Sequence, residues 1–205
     1  VTIDPAMLVY LNGQNNNKTA PDENYAREIQ ELFVIGKGPG AGFTESDVKA
    51  AARVLTGWRN SSARIESYFD AAWHDASNKQ FSSFYGNRII TGRTGTTAGD
   101  VELNDLLDML FGAEEASLFL CRRLYTWFIY YLITPEVEEG IIRPLAKILR
   151  DNNYEVRPVL RALLSSDHFF DAINRGCQIK SPADMLIGML RQFNVAFPPP
   201  EQYVT

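Results

Sequence analysis

The chain has 205 residues and a net charge of −5, with a hydrophobic fraction of 45% and an aromatic fraction of 12%. This composition is typical of a folded globular protein and excludes a disordered one, and the length suffices for one sizeable hydrophobic core. The charges are dispersed, without the Lys/Arg stripe of a nucleic-acid-binding protein. The longest apolar run, residues 118–133, is interrupted by Arg122 and Arg123 and is shorter than the roughly 20 residues of a membrane helix. We therefore expect neither nucleic acid as a partner nor a transmembrane segment.

The start of the chain and its cysteines say little about its compartment. The sequence begins at Val1 without a signal-peptide pattern, so we expect a fragment or a processed product. Cys121 and Cys177 are too few for a disulfide framework, and the sequence leaves a single bridge between them open.

The first strong helix is predicted from Asp22 to Ile35, ended by Gly36. Its core-facing stripe is predicted to comprise Tyr25, Ile29, Leu32 and Phe33. Gly36 opens a glycine-rich connector, residues 36–42, that has neither the spacing of a dinucleotide-binding loop nor the Gly-Lys-Ser/Thr of a phosphate loop. We therefore predict a helix C-cap and a connector there, without phosphate binding.

Ionisable residues repeat along the first helix. Glu23, Arg27 and Glu31 form an i, i+4 ladder, which is typical of a solvated and mildly stabilised face. Glu28 lies instead on the flank of the apolar stripe, where a partly desolvated carboxylate needs a partner. Glu28 and Glu31 are therefore the first candidate site residues.

The second helix is predicted to begin at Thr44 as N-cap and to stop at Gly57. Its buried stripe is predicted to be Val48, Ala51, Ala52 and Leu55, and Arg53 points off that stripe. Residues 59–98 then lose helical periodicity and become rich in aromatic residues, with His74 and Asp75 near their centre. This segment predicts a small β-hairpin or an ordered loop.

Helical patterns return from residue 99 and continue to residue 197. A long core helix is indicated by Ala116, Leu120, Leu124, Trp127, Phe128 and Tyr131. A further helix starts at Thr134, with a break or kink at Pro144, and the last helix opens at Ser181. Three prolines, residues 198–200, are predicted to end regular structure. The expected fold is a single mainly α domain over residues 1–205, made of N-terminal helices (1–58), a hairpin or loop insertion (59–98) and C-terminal helices (99–197).

These motifs together resemble the bacterial family known as domain of unknown function 1800. The first block, residues 23–28 with 31–33, is the most specific part of the resemblance. The remaining matches are Gly36, Thr44-Glu45, Asp47-Val48, residues 53–58, Phe69, His74-Asp75, Lys79, Gly86, residues 122–124 and residues 179–182.

The resemblance implies a cellular location and a type of neighbouring gene product, but no activity. Members of the family are usually longer at the N-terminus, so this chain resembles the C-terminal part of one. They are frequently exported, which implies a periplasmic or cell-surface location, and they are often encoded beside proteins similar to sulfatases and alkaline phosphatases. A sulfatase-like neighbour is therefore one expected partner.

One hypothesis is a hydrolase. In this interpretation Glu28, Glu31 and either His74 or Asp75 act as acid and base, or Glu28, Glu31 and His74 bind a divalent cation. Arg27 and Arg53 would hold an anionic substrate. The sequence contains no His-Glu-x-x-His, Gly-x-Ser-x-Gly or Cys/His metal spacing, so no cofactor is predicted and only a divalent cation is left open.

The second hypothesis is a binding or accessory domain without intrinsic catalysis. The same ionisable residues would then form a buried ion-pair network between the first helices and the insertion. Trp73, together with Tyr68 and Phe84, would stack on a glycan or on an exported partner protein, unless these aromatic rings only cover the core. The sequence favours this second hypothesis and leaves the enzymatic one open.

Overall fold

A computed structural model describes residues 2–61 and 63–196, and these residues are mainly helical. The α-helices are α1 (Pro5–Tyr10), α2 (Glu23–Glu28), α3 (Glu45–Val54), α4 (Ala98–Gly112), α5 (Glu114–Phe128), α6 (Pro135–Val137), α7 (Arg143–Asp151), α8 (Val156–Leu164), α9 (Asp167–Phe170) and α10 (Pro182–Gln192). The strands are β1 (Trp58–Asn60), β2 (Ser67–Phe69), β3 (Lys79–Gln80) and β4 (Ile89–Ile90). The predicted mainly α fold with a small hairpin insertion is confirmed. The predicted stop at the three prolines lies outside the described residues.

The insertion contains two antiparallel strand pairs. Trp58 of β1 pairs with Phe69 of β2, and Lys79 of β3 pairs with Ile90 of β4. Short 3₁₀ turns and loops connect these strands, so few backbone hydrogen bonds are made within the insertion itself. Of the helices that the structure describes, none is both long and apolar enough to cross a membrane.

The first helix does not bury the stripe that its sequence predicts. Tyr25 and Ile29 are buried, but Leu32 and Phe33 are 56% and 42% exposed, and Val34 and Ile35 are buried instead. The cause is a π-helical turn over residues 29–34, directly after α2. A π turn holds more residues than an α turn, so the side chains along it and after it are rotated relative to the predicted stripe.

The second helix follows its sequence closely. Thr44 and Asp47 form a capping box at the start of α3, and all four predicted stripe residues are buried. Asp47 has a further role, because its carboxylate also accepts hydrogen bonds from the backbone N–H and the hydroxyl of Ser82. The helix cap therefore also anchors the insertion.

The long helix α5 differs from its prediction in the face that it buries. The core face consists of Leu118, Cys121 and Tyr125, followed by Ile129 just after the helix end. Leu120 and Leu124 of the predicted stripe are only half-buried, and Trp127 and Tyr131 are 76% and 66% exposed. The helix is apolar on two sides, and periodicity alone cannot tell which side the rest of the chain covers.

The predicted disturbance at Pro144 takes the form of a second π turn. Residues 138–142 are π-helical and lead directly into α7, whose first turn contains Pro144. A proline within a helix removes one hydrogen bond and clashes with the carbonyl four residues earlier, here that of Gly140. Gly140 lies within the π turn, which is wider than an α turn. The chain therefore stays helical from α6 into α7 in spite of the proline.

Two hydrophobic clusters meet at α5. The first joins α1 to α4 with the insertion and ends at Ala116, and the second joins α5, α7 and α8 from Leu118 onward.

Both cysteines are free thiols. Burial raises the pKa of the Cys121 thiol to about 12, and the Cys177 sulfur contacts the backbone oxygen of Ile129 at 3.0 Å.

Two glycines with the same backbone angle provide a matched test of the packing at β1. Gly57 and Gly95 both have φ of +92°, which strains any L-residue. A Cβ atom at Gly57 would lie 2.9 Å from the backbone oxygen of Asp70, whereas at Gly95 no described atom would lie within 4 Å. Gly57→Ala is therefore expected to lower the free energy of unfolding by about 1–3 kcal/mol more than Gly95→Ala, measured by urea denaturation. Equal losses for the two variants would contradict the crowding at Gly57.

Candidate functional site

The candidate residues of α2 form an ion-pair group with the start of α3. The Arg27 guanidinium donates to both carboxylate oxygens of Glu45, at 2.8 and 2.6 Å. It also lies 3.3 Å from Glu23 and 3.7 Å from Glu31, so the predicted ladder is present. The hydrogen bonds from Arg27 to Glu45 raise the arginine pKa above its ordinary value. An arginine held by three carboxylates is poorly placed to bind an anionic substrate.

The two candidate glutamates of the first helix, Glu28 and Glu31, differ in their partners. Glu31 lies 2.5 Å from the Lys37 amine, as an ion pair rather than a well-aligned hydrogen bond. Glu28 is half-buried and makes no ion pair or side-chain hydrogen bond within the part of the chain that the structure describes. Glu28 is therefore the carboxylate of this group that is least constrained by neighbours.

The second group of candidates lies between α3 and the insertion. The Nε atom of Arg53 donates to the Asp75 carboxylate at 2.7 Å, and its Nη2 atom donates to the backbone oxygen of Asn78 at 3.0 Å. The same carboxylate accepts the backbone N–H of Ser77 at 2.9 Å. Burial raises the pKa of Asp75, but the hydrogen bonds from Arg53 and Ser77 outweigh it and lower that pKa to about 2.

His74 belongs to a buried polar core centred on Glu102 of α4. One Glu102 oxygen lies 3.1 Å from His74 Nε2, and the other accepts from the Lys79 amine at 2.5 Å. All three side chains are at least 98% buried. His74 Nδ1 lies 2.9 Å from the backbone oxygen of Thr56, so both ring nitrogens face acceptors within the protein. A substrate has no access to this histidine in the described structure.

The pKa values of this buried core reflect competition between burial and pairing. Burial raises the pKa of Glu102, but hydrogen bonds from His74 and Lys79 prevail and bring it below its ordinary value. Burial lowers the pKa of the Lys79 amine in spite of its pair with Glu102. Glu102 thus stays a carboxylate and serves as the common acceptor of the core. Sequence reasoning missed its role, although Glu102 shares a helix face with buried Ala98 and Leu106, which marks it as a carboxylate that needs a buried partner.

The candidates thus fall into two groups rather than one. Within residues 2–61 and 63–196, no hydrogen bond or ion pair joins Arg27, Glu28 or Glu31 to the group of Arg53, His74 and Asp75. The same residues contain no group of three or more His, Cys, Asp or Glu side chains placed to hold a metal ion. The proposed catalytic and metal-binding roles of these residues stay predictions.

Trp73, the aromatic candidate, is partly covered. Its side chain is 41% exposed, and the guanidinium carbon of Arg59 lies 4.1 Å from the centroid of its ring. This cation–π contact occupies one face of the indole and leaves less surface for stacking on a glycan.

The structure also contains an apolar depression that the sequence did not predict. We call it the α5–α8 trough, a cavity of about 460 Å³ on the side of α5 that the core does not cover. Its lining consists of Phe111, Leu120, Arg123, Leu124, Trp127, Leu149, Tyr154 and Val156. At Val156 it adjoins a second depression of about 470 Å³ that follows α8 past Leu160 and Leu164. The sequence contained the signal, since Leu120, Leu124 and Trp127 of the stripe assigned to the core line this trough.

The lowered pKa of Asp75 predicts a defined pH dependence of stability. Because the shift runs from 3.8 to about 2, the stabilisation is present above about pH 4 and is lost as the pH falls through about 2. Asp75→Asn is expected to lower the free energy of unfolding by about 2 kcal/mol at pH 7 and to flatten its slope between about pH 4 and 2. Urea denaturation across this range measures both effects.

Asp151→Asn is the matched control. Asp151 pairs with Lys147 on the surface, where both side chains are more than half exposed, so we expect a loss below about 0.5 kcal/mol. Equal acid slopes for wild type and Asp75→Asn would contradict the assigned pair.

Comparison with known proteins places the chain in a family. A family profile described as "Protein of unknown function (DUF1800)" matches residues 1–204. Neither the curated proteins nor the solved structures include a significant match to the chain. The match covers nearly the whole sequence and agrees with the resemblance that the first motif block indicated, and on this basis the chain belongs to the DUF1800 family of proteins of unknown function.

Proposed function

We propose that this chain is a non-catalytic accessory domain of an exported bacterial protein and that it binds an acidic amphipathic helix of a partner protein in the α5–α8 trough. The observation that carries the proposal is that α5 is apolar on two sides and only one of them is fully covered. A helix with apolar residues on two sides is normally buried on both. The export and the bacterial source are parts of the proposal that rest on the family resemblance.

The shape and composition of the trough suit a helix. Leu120, Leu124 and Trp127 follow one another at spacings of four and three residues along α5. Val156, Leu160 and Leu164 do the same at spacings of four along α8. Two such ridges form a groove into which the apolar face of a third helix can pack, with its anchors at i, i+3, i+4 and i+7.

The charges around the trough favour an acidic partner. Arg123, Arg157 and Arg161 line it or its continuation along α8, and all three are exposed. Within the described residues none of the three forms an ion pair, whereas Arg122, the neighbour of Arg123, binds two carboxylates. Carboxylates on the flank of a docked helix would complement these arginines and increase the rate of association.

Trp127 would be the main energetic anchor. It is the most exposed of the large aromatic side chains in the trough, and tryptophan and arginine are the residues that dominate measured binding energies. Burial of a large apolar side chain stabilises a complex by about 1.5–3 kcal/mol. Trp127 and Arg123 in the trough, with Arg157 and Arg161 along its continuation, thus provide the residue types expected at a binding site.

The state of the catalytic candidates supports binding over hydrolysis. His74 is buried with both ring nitrogens at acceptors, and Asp75 is held by Arg53 and Ser77. Glu31 is paired with Arg27 and Lys37. A general acid or base must be able to reach the substrate proton within hydrogen-bond distance, and these three side chains are already held by neighbouring groups. Glu28 is the exception among the catalytic candidates, since it makes no ion pair or side-chain hydrogen bond within the described residues.

The proposal predicts that the chain discriminates between two designed peptides. Both are fluorescein-labelled amphipathic helices with the same leucine-rich apolar face, one flanked by Glu and the other by Lys. We expect the acidic peptide to bind at least about tenfold more tightly in fluorescence anisotropy, with a preference that weakens at high salt. Trp127→Ala is expected to weaken binding by at least about tenfold, because it truncates the anchor.

Two control variants distinguish binding in the trough from non-specific binding of the peptide. Arg157→Gln with Arg161→Gln is expected to weaken the acidic peptide alone, whereas Arg64→Gln, at an exposed arginine of the insertion, is expected to leave it unchanged. Equal binding of both peptides, or full binding by Trp127→Ala, would overturn the proposal. Sedimentation velocity tests the other occupant: a dimer abolished both by Leu186→Ser on exposed α10 and by Trp127→Ala in the trough would place a second copy of the chain there and overturn a partner helix.

A further inference from the structure

A second concave site lies on another side of α5, independent of the trough. We call it the Glu115 cleft, a cavity of about 590 Å³ between the glycine-rich connector, α5 and the π turn that precedes α7. Leu118, Ile133 and Pro135 contribute apolar walls, and Glu115, Arg122 and Glu138 contribute charge. Its volume falls within the range of about 300–1,000 Å³ typical of small-ligand sites.

The charged part of the cleft is a carboxylate–arginine–carboxylate triad. Arg122 donates to Glu115 at 2.6 Å, and its Nε and Nη2 atoms donate to the two oxygens of Glu138 at 2.9 and 2.6 Å. Glu115 is 92% buried, yet its second oxygen accepts no hydrogen bond from the described residues. Two carboxylates share one guanidinium, so the triad carries a net charge of −1.

The other cation at the cleft is already neutralised. Arg143 lies 2.8 Å from Glu139 and 3.9 Å from Glu114, and Glu114 is shared with Arg150 at 3.8 Å. This neighbouring group of two arginines and two glutamates is neutral. The uncompensated negative charge of the triad therefore persists within the cleft.

The backbone around the cleft has two unusual features. Glu138 begins the π turn at residues 138–142, and the other π turn, residues 29–34, leads into the connector that forms the opposite wall. Single π turns within α-helices are rare and occur frequently at functional sites. Both π turns pack against α5, the helix that carries Glu115 and Arg122.

The connector is fitted closely to the buried carboxylate. A Cβ atom at Gly40 would lie 2.1 Å from the free oxygen of Glu115, so only glycine permits this approach. The glycine-rich segment that the sequence presented as a helix cap and connector thus also forms one wall of the cleft.

We propose that the Glu115 cleft binds an organic monocation, an ammonium or guanidinium group on an aliphatic chain such as the side chain of lysine or arginine. The cationic head would contact the free oxygen of Glu115 and neutralise the net negative charge of the triad. The aliphatic chain would pack on Leu118, Ile133 and Pro135, which replaces water at apolar walls.

The test uses three small probes of equal chain length and the ¹⁵N-labelled chain. We expect n-butylammonium to shift the amide resonances of residues 38–41 and 115–122 in a saturable titration. 1-Butanol, which lacks the charge, is expected to bind at least about tenfold more weakly, and butyrate to produce no saturable shift. Equal responses to butylammonium and 1-butanol would overturn the proposal.

Variants assign the binding to the triad. Glu115→Gln and Glu138→Gln are each expected to weaken butylammonium binding by at least about tenfold. Glu138 is the variant less prone to folding defects, because its side chain is 19% exposed and glutamine retains an acceptor for Arg122. Asp151→Asn, at an exposed carboxylate of α7 that pairs with Lys147 and does not line the cleft, is the control and should bind as wild type. Unchanged binding by a folded Glu138→Gln variant would overturn the proposal.

Discussion

The architecture depends on one buried carboxylate. Glu102 of α4 accepts from Lys79 and pairs with His74, and it also accepts the backbone N–H of Arg93 at 2.6 Å. Within the described residues the insertion has only two short strand pairs, so these polar contacts, with the Asp47–Ser82 cap, fix it against α3 and α4. Removal of one member of such a buried pair leaves an uncompensated charge, which costs about 3–5 kcal/mol. Two of the residues that resemble catalytic groups in the sequence, His74 and Asp75, thus help to attach the insertion.

Helix α5 packs on both halves of the molecule, and three different surfaces lie around its axis. At 100° per residue, Leu118, Cys121 and Tyr125 lie on the core side, while Glu115 and Arg122 lie beside them at the cleft. The residues of the α5–α8 trough occupy the remaining side. The two π turns shape the elements that pack on this helix. One helix therefore carries a core face, an apolar surface with one arginine that forms no ion pair among the described residues, and part of a negatively charged cleft.

Local interactions were predictable from the sequence, and non-local ones were not. The capping boxes at Thr44 and Ser181 depend on residues three positions apart, and the structure contains both. The exposure of Leu32 was not predictable, because a π turn changes the helical phase without a distinctive residue pattern. The exposure of Trp127 had a different cause, since periodicity identifies apolar faces but not their neighbours. The partner of His74 lies 28 residues away, beyond the reach of spacing arguments.

Arg122 and Arg123 show how adjacent residues of one type acquire different chemistry. They are 100° apart on α5, so one enters the Glu115 cleft and the other the α5–α8 trough. Two carboxylates surround Arg122 and leave the cleft negative, while Arg123, without an ion pair among the described residues, keeps the trough positive. The two surfaces would therefore favour ligands of opposite charge. The rotation between neighbouring helical residues is thus sufficient to give one helix two surfaces of opposite charge.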